Sequence, residues 1–503
     1  MHIWQPCAKC WAWINGGNMN MQIAALMESS GVKFGTSGAR GLVVDMTDQV
    51  CFAYTTAFLQ YLQSQALITQ GMEVAVAGDY RASSPRIMKA VGLAIEKAGF
   101  KPLNCGFVPT PAVAAYAMQR NIPSIMVTGS HIPDDRNGIK FYKPQGEILK
   151  DDEQGMCSRS VDFEAGLFDA DGSSAVDMTW AAETNDAYTE FVQRYLDFLP
   201  KNCLQGKRIG VYEHSSVARE TLKDVMQGLG ANVVCLGFSD RFIPVDTEAV
   251  RDEDVKLAQG WAAEYGLDCI VSADGDGDRP LVSDEHGIWL RGDVIGIITA
   301  HFLSAEHVVT PVSCNSAVEK SGYFKSVRRT RIGSPFVIEV MDELLAEGQK
   351  NIVGYEANGG FLTASDIAQN GSILTALPTR DAVIVPLALL LASIQAGQSI
   401  SELMLSLPQR FTVSGRLKDF PTKLSQQKLK GLQQDMGWLS DAFGEVKNIN
   451  ETDGFRITFI SEEVVHLRPS GNAPELRCYV EADSEQRAEV MLAACLSGLE
   501  AWK

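Results

Sequence analysis

The stretch EVAVAGDYRASSPRIMKAVGLAIEKAGFKPLNCG, residues 73–106, decides the fold class. Glu73–Ala77 is a short apolar-rich run that reads as a strand. After the turn GDYRASSP a helix follows, with Ser84 as its N-cap and Pro85 suited to the first helical position. Ile87, Val91 and Ile95 recur at i, i+4 and i+8, a stripe on one helix face. Gly99 ends the helix, and a short strand leads to Gly106. The same unit returns in RIGVYEHSSVARETLKDVMQGLGANVVCLG, residues 208–237. There Arg208–Tyr212 is the strand, Ser216 precedes a helix carrying Val217, Leu222, Val225, Met226 and Leu229, and Gly230 and Gly237 take the places of Gly99 and Gly106. A fainter third copy runs from His307 to Gly333. Repeated strand–helix–strand units predict repeated α/β domains.

The C-terminal hundred residues read differently. Strands Arg456–Ile460, Val464–Arg468 and Leu476–Glu481 lie close together, and a helix with Ala488, Val490, Met491 and Leu496 closes the chain, an α+β pattern. Residues 1–30 carry Trp4, Trp11, Trp13, Cys7 and Cys10 without a clear period and read as a poorly ordered extension. The Cys7-x-x-Cys10 pair has no second Cys/His pair nearby, so it is a weak zinc signal.

At 503 residues the chain is long enough for three or four domains. Its 44 Lys+Arg against 62 Asp+Glu give a net charge of −18. That balance argues against non-specific nucleic-acid binding and against docking on anionic lipid, yet permits a locally basic pocket for a phosphorylated substrate. The longest apolar run, Ala382–Ala392, contains Pro386 and is too short to span a membrane. There is no secretory leader pattern, and the 11 Cys are scattered, so the expected compartment is the reducing cytoplasm.

Four loops carry chemistry. In TGSHIPDDRNGIK, residues 128–140, Ser130 sits in a tight turn between Gly129 and His131, where neighbouring N–H groups can converge on an anion. In DGDGDRP, residues 274–280, alternate residues of an extended loop point the same way. Asp274, Asp276 and Asp278 can therefore meet on one hard cation such as Mg²⁺. An EF-hand is disfavoured, because Arg279 stands where that loop needs Gly and a strand precedes it. In GYEANGG, residues 354–360, Glu356 and Asn358 can bridge vicinal hydroxyls, although a plain polar turn reads as well. In RPSGNAPELR, residues 468–477, two arginines, Ser470, Asn472 and backbone exposed at Gly471 make a phosphate cradle; a hairpin with surface arginines is the alternative.

Taken together these loops resemble those of the α-D-phosphohexomutase family, the phosphoglucomutases and phosphomannomutases, over Lys33–Lys503. FGTSGARG, residues 34–41, looks like the N-terminal signature of that family. The resemblance implies three similar α/β domains with mixed sheets plus a C-terminal α+β domain around a central cleft. The boundaries would be 31–182, 183–290, 291–398 and 399–503, after the extension 1–30. It implies that Ser130 carries a phosphoryl group and, with Asp274, Asp276 and Asp278, holds Mg²⁺. Arg40 and Lys140 would assist at the reacting oxygen, and His131 would support the serine loop. Arg279, Gly333, Glu356, Asn358, Arg468, Ser470, Gly471, Asn472 and Arg477 would bind substrate.

The implied reaction is a mutase interconversion of mannose 6-phosphate and mannose 1-phosphate through a hexose 1,6-bisphosphate, which would also serve as activator. Alternatives are a phosphoglucomutase or dual enzyme, a glucosamine-phosphate mutase, a phosphatase and a non-catalytic sugar-phosphate binder. The partner would be a small hexose phosphate, with no nucleic acid or membrane, and the protein a monomer or homodimer. The sequence departs from the family at Gly129 and Ile132, where Ala and Asn are common, and at Asn358 for serine. Further departures are Gly360 for a histidine proposed as general acid/base, and Asn472-Ala473 for Thr-Glu. Arg40, Lys140, Arg279, Arg468 and Arg477 are expected to gather inside the cleft, leaving an acidic exterior.

Overall fold

The computed structural model describes residues 19–35, 38–432, 436–470 and 474–502. The chain divides into two compact units. One comprises residues up to 206, 210–246 and 272–278, and the other 207–209, 247–271 and 279–503.

Strand Glu73–Gly78 lies next to the edge strand of the first sheet. Val74, Ala75, Val76 and Ala77 are fully buried, as expected of a parallel strand covered on both faces. It pairs in parallel with Lys101–Asn104 on one side and Ser124–Val127 on the other. The next strand, Arg136–Lys143, returns antiparallel to Ser124–Val127, so the sheet is mixed. Ile87, Val91 and Ile95 of helix Ser84–Lys97 are fully buried beneath it. The N-cap is Ser83 rather than Ser84 and makes no side-chain cap bond. The Ser84 hydroxyl is instead taken by Asp79 Oδ1 at 2.6 Å, a charged acceptor that outcompetes the helix end.

The same order of strands appears three times. The later sheets run Asn232–Phe238, Arg208–His214, Cys269–Ala273, Pro280–Val282, and Ser326–Thr330, His307–Pro311, Ile352–Tyr355, Phe361–Thr363. In the third sheet the first three strands are parallel and the last antiparallel, as in the first. The second helix begins at Arg219, later than Ser216 suggested. The Ser216 hydroxyl donates to the Asp274 carbonyl at 2.7 Å instead of capping. Gly99, Gly106, Gly230 and Gly237 all have positive φ, from +61° to +95°, which explains why glycine recurs at this spacing.

The repeat has a functional corollary. The loops at 128–135, 274–279 and 356–360 each join the third parallel strand of a unit to the strand that follows it. Three chemically different loops thus occupy one topological position, beyond the carboxyl end of a strand, where α/β sheets present their binding sites.

The C-terminal sheet is wholly antiparallel, ordered Phe411–Leu417, Leu476–Ala482, Val464–Pro469, Phe455–Phe459, Val446–Asn450, with helix Glu485–Glu500 packed on it. Its two outer strands carry mostly half-exposed residues and lack the alternation that marked the inner three. The apolar run Ala382–Ala392 lies largely in helix Ile384–Ala396, a buried core helix with Pro386 in its first turn, where proline is tolerated. Among the described residues no helix is long and apolar enough to cross a membrane.

The expectation of an extension over residues 1–30 is corrected for residues 19–30. Met19–Gln22 pairs antiparallel with Ser160–Phe163, and helix Ile23–Ser30 buries Ile23 and Leu26 in the core of the first domain. The strand has four residues and the helix eight, too short for either to show a clear period. Cys7 and Cys10 lie outside the described residues.

Candidate functional site

The serine and metal loops meet inside the first unit. Ser130 is fully buried and has φ +57°, a left-handed conformation unfavourable for a residue with a Cβ. Its hydroxyl donates to Asp274 Oδ2 at 2.6 Å, and His131 Nδ1 lies 3.4 Å away. Asp274, Asp276 and Asp278 are fully buried, and one oxygen of each lies within 4.8 Å of the others. Lys140, itself buried, donates to Asp276 Oδ2 at 2.6 Å and to Asp278 Oδ2 at 2.5 Å. Three buried carboxylates brought this close together are a concentration of negative charge that a hard divalent cation offsets. An all-oxygen carboxylate set is also the donor chemistry such cations take. Backbone bonds strap the loop: Thr110 N–H donates to the Asp276 carbonyl and Val217 N–H to that of Gly275. Arg40 stands opposite Gly138 in the sheet, hence on the same face as Lys140 and diagonal to it.

A second network, unread from the sequence, holds the serine turn in its strained form. Arg81 and Asp79 form a fully buried ion pair. Arg81 Nη2 donates to the carbonyls of Ser130 at 2.9 Å and Ile132 at 2.5 Å, and the guanidinium stacks over Phe242 at 3.8 Å. Thr128 Oγ1 accepts from Ser130 N–H and donates to Asp79. A Cβ at position 129 would fall 2.8 Å from the Arg81 guanidinium, so the turn packs closely on that side chain. GDYRASSP was visible as a turn, but only tertiary contact reveals that it clamps a loop fifty residues on. Arg81→Ala should cost about 3–5 kcal/mol in a denaturant melt, because Asp79 is left buried and uncompensated. Retention of full stability would contradict this account of the turn.

The other two loops lie in the second unit, each described within it. Glu356 is buried, and its Oε2 accepts from Arg380 Nε at 2.6 Å. Asn358 Oδ1 accepts from Gly360 N–H at 2.9 Å, so this oxygen, expected to read a hydroxyl, caps its own turn. The Asn358 carbonyl takes the Thr247 hydroxyl at 2.7 Å. Gly333, with φ +131°, starts helix Ser334–Ala346. Arg279 leads directly into Pro280, against which Gly359 packs.

In the C-terminal sheet the register sets Arg416, Arg477 and Arg468 side by side across three strands. Like charges directly opposite one another are unfavourable unless an anion lies near, and here Glu475 lies 3.5 Å from Arg416 and 4.0 Å from Arg477. Arg416 was missed because the signal is a strand register, which no single motif displays. Arg468, Ser470, Arg331, Asp453 and Lys430 line a cavity of about 710 Å³. Asp453 pairs with Arg468 at 3.3 Å and accepts from Ile332 N–H at 3.0 Å, tying this loop to the start of the Gly333 turn. Gly471 and Asn472 lie outside the described residues.

His466, on the same strand as Arg468, is buried and donates through Nε2 to the Asp453 carbonyl at 2.6 Å. Burial holds its pKa down at about 4 against the usual 6.5. The unfolded chain therefore takes up a proton near pH 6.5 that the folded chain refuses until about pH 4. Stability is full above pH 6.5 and falls as pH drops through that window, by up to about 3 kcal/mol from this group. In urea melts His466→Gln should lose less stability than the parent between pH 7 and 4; parallel slopes would contradict this.

Comparison with known proteins follows the same division of the chain. Residues 31–162, 186–287 and 291–411 match domains I, II and III described as phosphoglucomutase/phosphomannomutase alpha/beta/alpha domains, and residues 416–495 match the C-terminal domain of that set. A phosphomannomutase of Salmonella muenchen is 45% identical over 94% of this chain and 97% of its own length. A phosphomannomutase of Sinorhizobium fredii is 43% identical over 93% and 99%. Among solved structures, a phosphoglucomutase/phosphomannomutase family protein from Burkholderia thailandensis superposes with a TM-score of 0.71 at 19% identity, covering 93% of this chain and 97% of that one. With all four domains matched in order, the chain belongs to the phosphoglucomutase/phosphomannomutase family.

Proposed function

We propose that this protein is a Mg²⁺-dependent phosphomannomutase, interconverting mannose 6-phosphate and mannose 1-phosphate through phosphorylated Ser130 and a hexose 1,6-bisphosphate, which also primes the serine. The observation that carries this reading is the buried cluster in which Ser130 Oγ meets Asp274 while Lys140 joins Asp276 and Asp278. Phosphoryl transfer needs positioning and charge neutralisation more than covalent activation, and this cluster offers both. The two phosphomannomutases similar over nearly the whole chain favour mannose over glucose.

Asp274, Asp276 and Asp278 would hold Mg²⁺, which when bound neutralises phosphoryl oxygen charge. Ser130 Oγ yields its phosphoryl group to a sugar hydroxyl: the bond from phosphorus to the serine oxygen breaks as one to the sugar oxygen forms, and the proton of that hydroxyl ends on the freed serine oxygen. Lys140 and Arg40 stabilise charge beside the reacting oxygen, and His131 supports the turn. Glu356 reads a sugar hydroxyl, with Asn358 shaping its loop. Arg468, Ser470, Gly471, Asn472 and Arg477, with Arg279 and Gly333, bind the substrate and its non-reacting phosphate. Domain limits at 31–182, 183–290, 291–398 and 399–503 belong to the same reading, with residues 19–30 joined to the first domain. The nine described cysteines are free thiols, which suits work in the cytoplasm.

A coupled assay with mannose 1-phosphate, glucose 1-phosphate and glucosamine 1-phosphate, with Mg²⁺ and trace hexose bisphosphate, tests the proposal. Turnover should be fastest with mannose 1-phosphate. Absence of turnover on all three would refute the mutase reading, and a clear preference for glucose 1-phosphate would refute the substrate choice.

A further inference from the structure

Position 360 is a glycine for a reason supplied from another part of the chain. A Cβ there would lie 2.3 Å from Arg380 Cδ and 2.7 Å from Arg380 Cγ, so the arginine side chain fills the space a side chain at 360 would need. Arg380 is almost wholly buried. Its Nε donates to Glu356 Oε2 at 2.6 Å and its Nη2 to Ser334 Oγ at 3.0 Å. It thereby ties together the Glu356 loop and the helix start that follows Gly333. Its backbone is anchored as well: Asp381 N–H donates to the Phe361 carbonyl, and Asp381 Oδ1 accepts from the N–H groups of Val383 and Ile384 at the head of the next helix.

We propose that Arg380 is the positioning residue of the third loop, holding the Glu356 carboxylate in place for a sugar hydroxyl and putting a permanently charged group where a side chain at position 360 would otherwise stand. This rests on the reading of Glu356 as a sugar contact. A planar guanidinium can bond Glu356 and Ser334 in fixed directions at once, which the point charge of a lysine cannot do. It also does not deprotonate in proteins, so the loop gains no titrating group near neutral pH. Any proton transfer in the reaction is left to other residues.

Steady-state kinetics of Arg380→Lys and Arg380→Gln test the role. KM for mannose 1-phosphate should rise at least tenfold in Arg380→Gln and less in Arg380→Lys, while kcat falls less than KM rises. Phosphoryl content at Ser130 should match the parent. Combining Arg380→Gln with Glu356→Gln should raise KM by less than the product of the single effects, because both act on one interaction.

Melting temperatures supply a readout free of activity. Gly360→His alone should melt well below the parent, whereas Gly360→His with Arg380→Gly should melt above Gly360→His. That double variant should also gain a pH-dependent step in kcat near 6.5 that the parent lacks. The inference is overturned if Arg380→Gln keeps KM within twofold of an active parent, or if Gly360→His lowers the melting temperature equally with and without Arg380. A parent without mutase turnover would instead overturn the functional reading, and the melting comparison would still decide whether Arg380 excludes a side chain at 360.

Discussion

Replacing Ser130 by alanine should reduce mutase turnover at least about a thousandfold, the scale of losing a group that carries the transferred phosphoryl. The serine turn is built around this hydroxyl. Arg81 fastens the carbonyls of Ser130 and Ile132, Thr128 takes the Ser130 N–H, and Asp274 takes the hydroxyl. Intact mass should show a phosphoryl increment on the parent after incubation with hexose bisphosphate and none on Ser130→Ala. Ser130→Gly should be equally inactive yet about 1 kcal/mol more stable than Ser130→Ala, since glycine adopts φ +57° without the clash of a Cβ. Full turnover in Ser130→Ala would exclude this residue as the carrier. Equal stability of the two variants would mean that the turn stores no strain.

The second large effect concerns Lys140. Its ammonium is the buried counter-charge for Asp276 and Asp278, with side-chain exposures of 2%, 0% and 0%. Lys140→Met removes one partner of a buried ionic cluster and leaves three carboxylates together. In chelator this should cost about 3–5 kcal/mol of unfolding free energy. Millimolar Mg²⁺ should restore a large part of that loss, because an ion that binds only the folded cluster stabilises it by mass action. On the proposed role of Lys140 at the reacting oxygen, turnover should remain low in either condition. The measurement is a pair of chemical melts, with chelator and with Mg²⁺, on the parent and the variant. A loss of the same size in both conditions would contradict a cation site at these three aspartates.

Two departures from the family pattern acquire one explanation. Gly129 and Gly360 looked like substitutions in chemistry-bearing loops. In each, an arginine from a distant segment crowds the place a Cβ would take, Arg81 at 2.8 Å in the first case and Arg380 at 2.3 Å in the second. Each arginine is paired with a buried carboxylate, Asp79 or Glu356. A larger residue at either position would require that arginine to shift.

The repeated α/β units, the α+β end and the residues of the four loops were legible in the sequence. Those features are local: an apolar strand, a helical stripe, glycines where positive φ is needed, and aspartates at alternate positions. Their physical causes act over a few residues and leave a readable period. The half-exposed outer strands Phe411–Leu417 and Val446–Asn450 and the packed segment 19–30 left no such period and went unread. The remainder came from contacts between segments far apart in the chain. The tertiary structure brought Ser130 to Asp274 across 144 residues, set Arg416, Arg477 and Arg468 in one row by strand register, and spent the Asn358 oxygen on its own turn. It also gave three unlike loops one topological position. Buried charges find partners wherever the fold delivers them, and the distance along the chain carries no trace of which partner that is.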